Sequence, residues 1–334
     1  MARVHFLNVG NGDCSIIEHG SGRVTMIDIC GGNKDEAVQK SIASIFEAFE
    51  PSTQPSGNYG MRRRPTNPIA YMKRNGIKSP FRFILTHPDC DHLDGFNALC
   101  TEFGMSNFWD NGLRKEKPGF EASPYKEEDW DRYLAIRDQK QEGLTVVTPL
   151  AGSKFSFANQ GDPESHGDCI DIVAPDAALV KAANESEDPN DGSYVLVYRS
   201  AGGKIVFGGD GHDSTWDYVI ENHSDLVANC AVLIAPHHGR DSDRSHDFLD
   251  TLKPGLTLFG CADSDHLAYE PYSRRGLIKI TNNQAGNVVM EPHSNGIDIF
   301  VENKKFAETF NAHDAAKLCC GSYYIGTVAK PSKT

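Results

Sequence analysis

No segment of this chain approaches the roughly 20 consecutive apolar residues that a membrane-spanning helix needs. The opening, MARVHFLNVGNGDCSII, has none of the long apolar core of a secretory leader. The cysteines, at 14, 30, 90, 100, 169, 230, 261, 319 and 320, form no CxxC pair and are odd in number. That argues against a disulfide framework and suits a reducing compartment. Together these absences lead us to expect a cytoplasmic protein with no membrane partner. Internal repeats and low-complexity tracts are missing too. Positive charge is scarce: 33 Lys and Arg stand against 46 Asp and Glu, a formal charge of −13. Such a balance excludes binding to nucleic acid or an anionic membrane by overall charge, although not through a local patch.

What is present is enough for a sizeable core. The 334 residues are 39% hydrophobic and 24% charged, which fits one large domain with insertions or two small ones. Short strand-like runs recur: VHFLNV, CSIIEH and VTMIDI near the start, then FRFILT, LTVVTPL, DCIDIVAP, SYVLVYRS, KIVFGGD, CAVLIAPHH and LTLFGC. Apolar spacing predicts helices near 35–49, after FRFILT, and around 126–140. Residues 51–80, rich in Pro, Ser and Asn, read as an inserted loop, and the polar, acidic stretch 105–145 reads as a surface insertion. Many strands with interspersed helices predict an α/β or α+β layered protein.

Ligand-capable side chains follow four of the apolar runs. FRFILT leads into His87, Asp89, Asp91 and His92; KIVFGG into Asp210; CAVLIAP into His237 and His238; LTLFGC into Asp263, Asp265 and His266. Strand ends on a rigid sheet are where layered α/β proteins place their sites. In HPDCDH, His87 and Asp89 are two apart and point to one side of an extended stretch, and Asp91 repeats that phase. His92 must reach round a turn. This split suits a metal pair about 3.5–4 Å apart, one ion on the first two side chains and the second on the last two.

The order THPDCDHLDG, NDGSYVLVY, KIVFGGD, LIAPHHGRDS and SDHLAYEP, behind FLNVGNGDCSII and MIDICGG, resembles the metallo-β-lactamase fold superfamily, and within it the soluble hydrolase domain of ComEC-type DNA-uptake proteins. The likeness spans roughly residues 3 to 300, so we expect a hydrolase domain over 1–302, with the two insertions, and a C-terminal extension, 303–334, of unassigned role. The resemblance implies an αββα sandwich, two β-sheets face to face with helices outside, carrying a two-metal hydrolytic site. By position it implies His87 and Asp89 on the first metal, Asp91, His92 and His237 on the second, and Asp210 bridging. Asp28 and His238 would orient ligands from behind, and Asp91 or His266 would manage proton transfer. The superfamily's third-motif histidine is missing, and Asp191 is the candidate ligand in that slot. Asp89 standing for a histidine makes the first site harder, shifting preference from Zn²⁺ towards Mn²⁺ or Mg²⁺. The membrane channel and OB-like domain of ComEC have no counterpart here.

Residues 61–82 carry seven Lys and Arg and no Asp or Glu. Arg62, Arg63, Arg64, Lys73 and Arg74 are therefore candidate contacts to a phosphate backbone beside the metals. The leading expectation is a nuclease or phosphodiesterase acting on nucleic acid. The alternatives are a metallohydrolase of a small phosphoester, cyclic nucleotide or lactone, and a non-catalytic scaffold. The residues name no protein partner.

Overall fold

The computed structural model describes residues 2–49, 57–138, 142–155, 157–159, 167–242, 244–262, 266–310 and 317–331. Among them the strands form two sheets, of ten and of six. In spatial order the first sheet runs Leu318–Cys319, Ser322–Ala329, Gly296–Val301, Val288–His293, Arg3–Phe6, Ser15–Glu18, Val24–Ile27, Arg82–Ile84, Asn107–Trp109 and Thr145–Val147. The second runs Lys279–Thr281, Leu256–Phe259, Val232–Ile234, Gly203–Phe207, Val195–Ser200 and Ile170–Ala174.

Strand alternation decides which side chains meet. Val4, Phe6, Ile17, Ile27 and Ile84 of the first sheet share one core with Ile172, Leu196, Ile205, Phe207, Val232 and Ile234 of the second. Their neighbours in sequence point outward. Ile16, Met26, Phe83 and Phe108 pack beneath the helices Pro68–Asn75, Phe96–Glu102 and Glu127–Arg137. Val195, Val197, Val206 and Leu233 pack beneath Asp213–Val227 and Leu249–Leu252. The result is the αββα sandwich that the sequence led us to expect. No helix among the described residues is long and apolar enough to cross a membrane.

Two expectations need correcting. The stretch 51–80 is not all loop, because Pro68–Asn75 is a helix. Asn67 caps it, its side chain accepting from the backbone N–H of Ile69 and Ala70, and Gly76 ends it in the left-handed region at φ 65. Pro68 at the first helical position lacks an N–H that would be unpaired there anyway, so Asn-Pro opens a helix inside a stretch whose composition reads as loop. Nor is 105–145 only a surface insertion: Asn107–Trp109 is a strand of the first sheet, and Glu127–Arg137 buries Trp130 and Tyr133 against it. Beyond residue 302, Lys304–Phe310 is helical, and Ser322–Ala329 pairs antiparallel with Gly296–Val301, so the last strands extend the first sheet.

The site is positioned by parallel strands. Val24–Ile27, Arg82–Ile84 and Asn107–Trp109 run parallel in one sheet, and Gly203–Phe207, Val232–Ile234 and Leu256–Phe259 in the other. Their carboxyl ends collect at one edge, where the Tyr194 N–H donates to the Thr86 carbonyl at 3.0 Å and ties the sheets together. Close by, the loop after Val24–Ile27 crosses the HPDCDH loop at Gly32 and Gly95. Gly95 has φ 103, and a Cβ there would lie 2.3 Å from the Gly32 Cα. Gly95→Ala is therefore expected to cost about 2–5 kcal/mol, from ~1–2 of left-handed strain and ~1–3 of overpacking. Urea denaturation measures it, and a loss below about 1 kcal/mol would show that the crossing is not tight.

Candidate metal centre

Six segments deliver the side chains. Asp28 follows Val24–Ile27, Thr86 and His87 follow Arg82–Ile84, and Asp91 and His92 lie in the short 3-10 turn Cys90–His92. Asp210 follows Gly203–Phe207, His237 and His238 follow Val232–Ile234, and Asp13 comes from the turn between the first two strands.

Asp210 is buried at the centre. Its Oδ2 lies 3.9 Å from His87 Nε2, 3.5 Å from His92 Nε2, 3.8 Å from His237 Nε2 and 3.6 Å from His238 Nε2. His238 Nε2 is also 3.4 Å from Asp91 Oδ2, and its Nδ1 is 3.1 Å from Asp13 Oδ1. Three overlapping groups of ligand atoms result: His87, His92 and Asp210; Asp91, His92 and His238; Asp13, Asp210 and His238.

The Nε2 separations, 3.4–3.9 Å, are long for hydrogen bonds and right for shared cations, whereas His238 Nδ1 is at hydrogen-bond distance from Asp13. Two ligand atoms each about 2.1 Å from one ion at a tetrahedral angle sit about 3.4 Å apart. The Nε2 atoms of His87, His92 and His238 and the Oδ1 of Asp210 are buried with no hydrogen-bond partner. Leaving such groups unpaired costs ~1–3 kcal/mol each, so the donor set fits divalent ions.

The charges are mutually dependent. Burial opposes ionisation of Asp210, but His238, His92 and His87 outweigh it and hold the carboxyl well below its usual range. Burial likewise works against charged His92, yet Asp210, Asp28 and Asp91 raise that imidazole well above its ordinary value. For His238, Asp210 and Asp13 overcome burial and push it up to about 10. Without a cation, protons on these two rings balance the carboxylates.

Asp28 orients the rings from behind. Its Oδ2 accepts from Thr86 Oγ1 at 2.7 Å and from His92 Nδ1 at 2.8 Å, and its Oδ1 accepts from the Thr86 N–H at 2.8 Å. Fixing the proton on Nδ1 leaves Nε2 aimed at Asp210.

The two adjacent histidines are placed differently from expectation. His237 and His238 both have left-handed backbones, with φ 51 and 59. This turn sends His238 inward to Asp91, Asp13 and Asp210, and leaves His237 at the rim. The His237 Nδ1 accepts from Arg244 at 2.6 Å and from Ser242 Oγ at 3.0 Å. Burial and the nearby Arg244 outweigh Asp210 and lower His237 to about 3, so it is a neutral acceptor. His238 thus takes the inner position expected for His237.

Other expected residues diverge. Asp89 Oδ2 is 3.9 Å from His87 Nε2, but its Oδ1 accepts from Lys115 Nζ at 2.6 Å. Asp191 faces away from His87, grouping with Asp188 and His212 and accepting from Ser214 Oγ at 3.0 Å. The third-motif slot is occupied instead by buried Ser193, whose Oγ accepts from the Asp210 N–H at 3.0 Å and lies 3.4 Å from His87 Nδ1. His266 is exposed and outside the ligand groups of the described residues. Asp263 and Asp265 lie outside the described residues.

The basic stretch divides. Arg62 and Arg63 line a cavity of about 400 Å³ together with Gly260. A Cβ on Gly260 would lie 3.0 Å from His238 Cβ and 3.5 Å from Asp13 Oδ1, so this cavity adjoins the cluster. Arg64 and Arg74 line a separate cavity of about 330 Å³ that also holds Glu36 and Glu302. Arg74 pairs with Glu36 at 2.5 Å, and Lys73 pairs with Glu102. Arg82 is buried against Asp168 at 2.7 Å.

Sequence reasoning missed Asp13, Ser193 and Lys115. Asp13 and Ser193 lay inside quoted motifs and could have been noticed as carriers of oxygen ligands. Lys115 comes from the polar stretch 105–145, and nothing local marks it.

No family model and no curated protein sequence matches the chain. Solved structures similar to it include a metallo hydrolase from the hyperthermophilic archaeon Ignicoccus hospitalis, 13% identical over 86% of this chain and 99% of that one, TM-score 0.47. Another is a metal-dependent hydrolase of the β-lactamase superfamily, 13% identical over 84% and 96%, TM-score 0.48. A third is a diphosphatase from the PhnP family, 13% identical over 88% and 100%, TM-score 0.42.

Two measurements check the centre. Asp28→Asn keeps shape but cannot accept from His92 Nδ1–H on the same atom, and should weaken Mn²⁺ or Zn²⁺ binding about 10–100-fold by calorimetry. Unchanged affinity would remove Asp28 from the site. Chelation with EDTA should lower the unfolding temperature, with recovery on adding Mn²⁺ or Zn²⁺, since ions bound only by the native state stabilise it. A melting curve indifferent to both treatments would argue that no ion is held.

Proposed function

We propose that the chain is a metal-dependent phosphodiester hydrolase, a nuclease or phosphodiesterase acting on nucleic acid. The observation that carries this reading is the buried set His87, His92, His238 and Asp210: three imidazole nitrogens without hydrogen-bond partners lie within 3.9 Å of Asp210 Oδ2, and Asp210 Oδ1 is unpartnered too. Divalent cations held there supply Lewis acidity and an activated water. The motif order resembling ComEC hydrolase domains, and the arginine-lined cavity against the cluster, support a phosphodiester as the substrate.

The chain's own residues have separable tasks. Asp91, His92, His238 and Asp210 would hold an ion at one end of the centre, and His87 and Asp89 would serve the other end. Asp28 and Ser193 orient ligands. Arg62 and Arg63 neutralise and position an anionic group beside the centre, which this acidic chain does not do by overall charge. His266 precedes Leu267, another lining residue of that cavity, and is our candidate for proton delivery to the leaving group. The carboxylates favour Mn²⁺ or Mg²⁺, and the histidine-rich Asp91 end also suits Zn²⁺.

Digestion of single- and double-stranded DNA and RNA with Mn²⁺, beside bis-p-nitrophenyl phosphate, tests the reading. Cleavage of the small ester without any polymer degradation would sink the nuclease reading and leave a small-ester hydrolase. Asp210→Ala should abolish hydrolysis of every substrate while far-ultraviolet dichroism stays native. The pair Arg62→Ala and Arg63→Ala should reduce polymer cleavage about tenfold or more and leave small-ester cleavage nearly unchanged, as removal of phosphate contacts does. An equal loss on both would make the arginines structural.

A further inference from the structure

The cavity beside Gly260 offers more than cations. Its lining includes Arg62, Arg63, Tyr269, Thr281 and Asn283, and none of its described lining residues carries a carboxylate. Tyr269 begins the short helix Tyr269–Ser273 and remains 37% exposed. Its ring packs against buried Phe259, centroids 6.0 Å apart and planes inclined by 23°, and Lys279 Nζ lies 5.9 Å from its centroid.

An exposed tyrosine alone is unremarkable, because much of any protein surface is apolar. Its setting is not. The ring is backed by Phe259, stands in a cavity lined by two guanidinium groups, and shares that cavity with Gly260, whose missing Cβ lets the wall approach His238 and Asp13. A ligand satisfying all of these must be anionic at one end, flat and aromatic at the other, and short enough for about 400 Å³. Pockets of ~300–1,000 Å³ take single small molecules, which excludes a duplex with its paired bases. The amides of the wall are already engaged: Asn283 Nδ2 donates to Asn58 Oδ1 at 3.0 Å, and Asn283 Oδ1 accepts from the Arg62 N–H at 3.2 Å. Recognition is then by stacking and charge, which tolerates any base.

We propose that this cavity is a nucleotide subsite, in which an unstacked base lies on Tyr269 and the attached phosphate sits between Arg62, Arg63 and the metal cluster. The subsite rests on the phosphodiesterase reading for its role in turnover, though not for binding. It commits the substrate to a nucleotide whose base is free to leave its neighbours, hence a single strand, an end or a mononucleotide diester.

The test compares AMP with ribose 5-phosphate, which has the same phosphate and no base, by titration calorimetry on the Mn²⁺-loaded protein. Wild type is expected to bind AMP about tenfold more tightly than ribose 5-phosphate, the usual scale of base–aromatic stacking. Tyr269→Ala should remove that preference by weakening AMP alone, and Tyr269→Phe should keep it. Arg62→Ala should weaken both ligands alike. Equal affinities in wild type, no binding of either ligand, or a preference surviving Tyr269→Ala in a protein with an unchanged unfolding midpoint would overturn the subsite. Hydrolysis is scored separately: a protein that prefers AMP but cleaves no phosphodiester keeps the subsite and loses the catalytic reading.

Discussion

One carboxylate oxygen, Asp210 Oδ2, lies within 3.5–3.9 Å of four imidazole nitrogens. Nothing else in the molecule explains so much of its construction. A buried carboxylate is costly unless paired, and four rings around it are costly unless something lies between them. The sandwich meets this by bringing the rings in pairs from two strand ends, one in each sheet. His87 and His92 follow Arg82–Ile84 of the first sheet, and His237 and His238 follow Val232–Ile234 of the second, which also supplies Asp210 after Gly203–Phe207. The centre is therefore a joint between sheets, and the Tyr194–Thr86 hydrogen bond and the Gly32–Gly95 crossing brace that joint.

Much of this was legible in the sequence because it is local. A buried strand followed by HPDCDH, GGD or PHHG declares a strand end with ligands, and parallel strands bring such ends to one edge. The layered class was legible through recurring strand-like runs with helices between them, and the αββα arrangement only through the resemblance of the motif order. What failed depended on backbone signs or long-range pairing. His237 and His238 are equivalent as letters, and only the left-handed φ values of 51 and 59 decide which ring turns inward. Asp191 was favoured for its carboxylate, but the chain presents Ser193 to the centre two residues later. The last strands escaped notice because Ser322–Ala329 buries only Ser322 and Ile325 and has no run of large aliphatic residues.

The basic stretch teaches a separate lesson about counting charge. Seven cations in residues 61–82 read as one patch, but the fold spends them differently. Arg82 balances Asp168 in the interior, Lys73 and Arg74 answer Glu102 and Glu36, and only Arg62 and Arg63 line the cavity against the centre. Proximity in sequence put them together; helix Pro68–Asn75, unrecognised beforehand, separates them. A net of −13 says little about this groove, whose lining among the described residues has two arginines and no carboxylate.

The two ends of the centre are built differently. At the His87 end Asp89 adds a carboxylate, and the segment between Asn107–Trp109 and Glu127–Arg137 places Lys115 2.6 Å from it. At the Asp91 end the carboxylate meets an imidazole instead, with His238 Nε2 3.4 Å from Asp91 Oδ2 and Asp13 Oδ1 3.1 Å from His238 Nδ1. An ammonium on a flexible arm and a ring locked between two carboxylates hold charge in different ways: the first can rotate out to solvent, and the second is fixed by the backbone turn that carries it. The geometry of the Asp91 end is therefore set by the fold, whereas that of the His87 end also depends on where one long side chain lies.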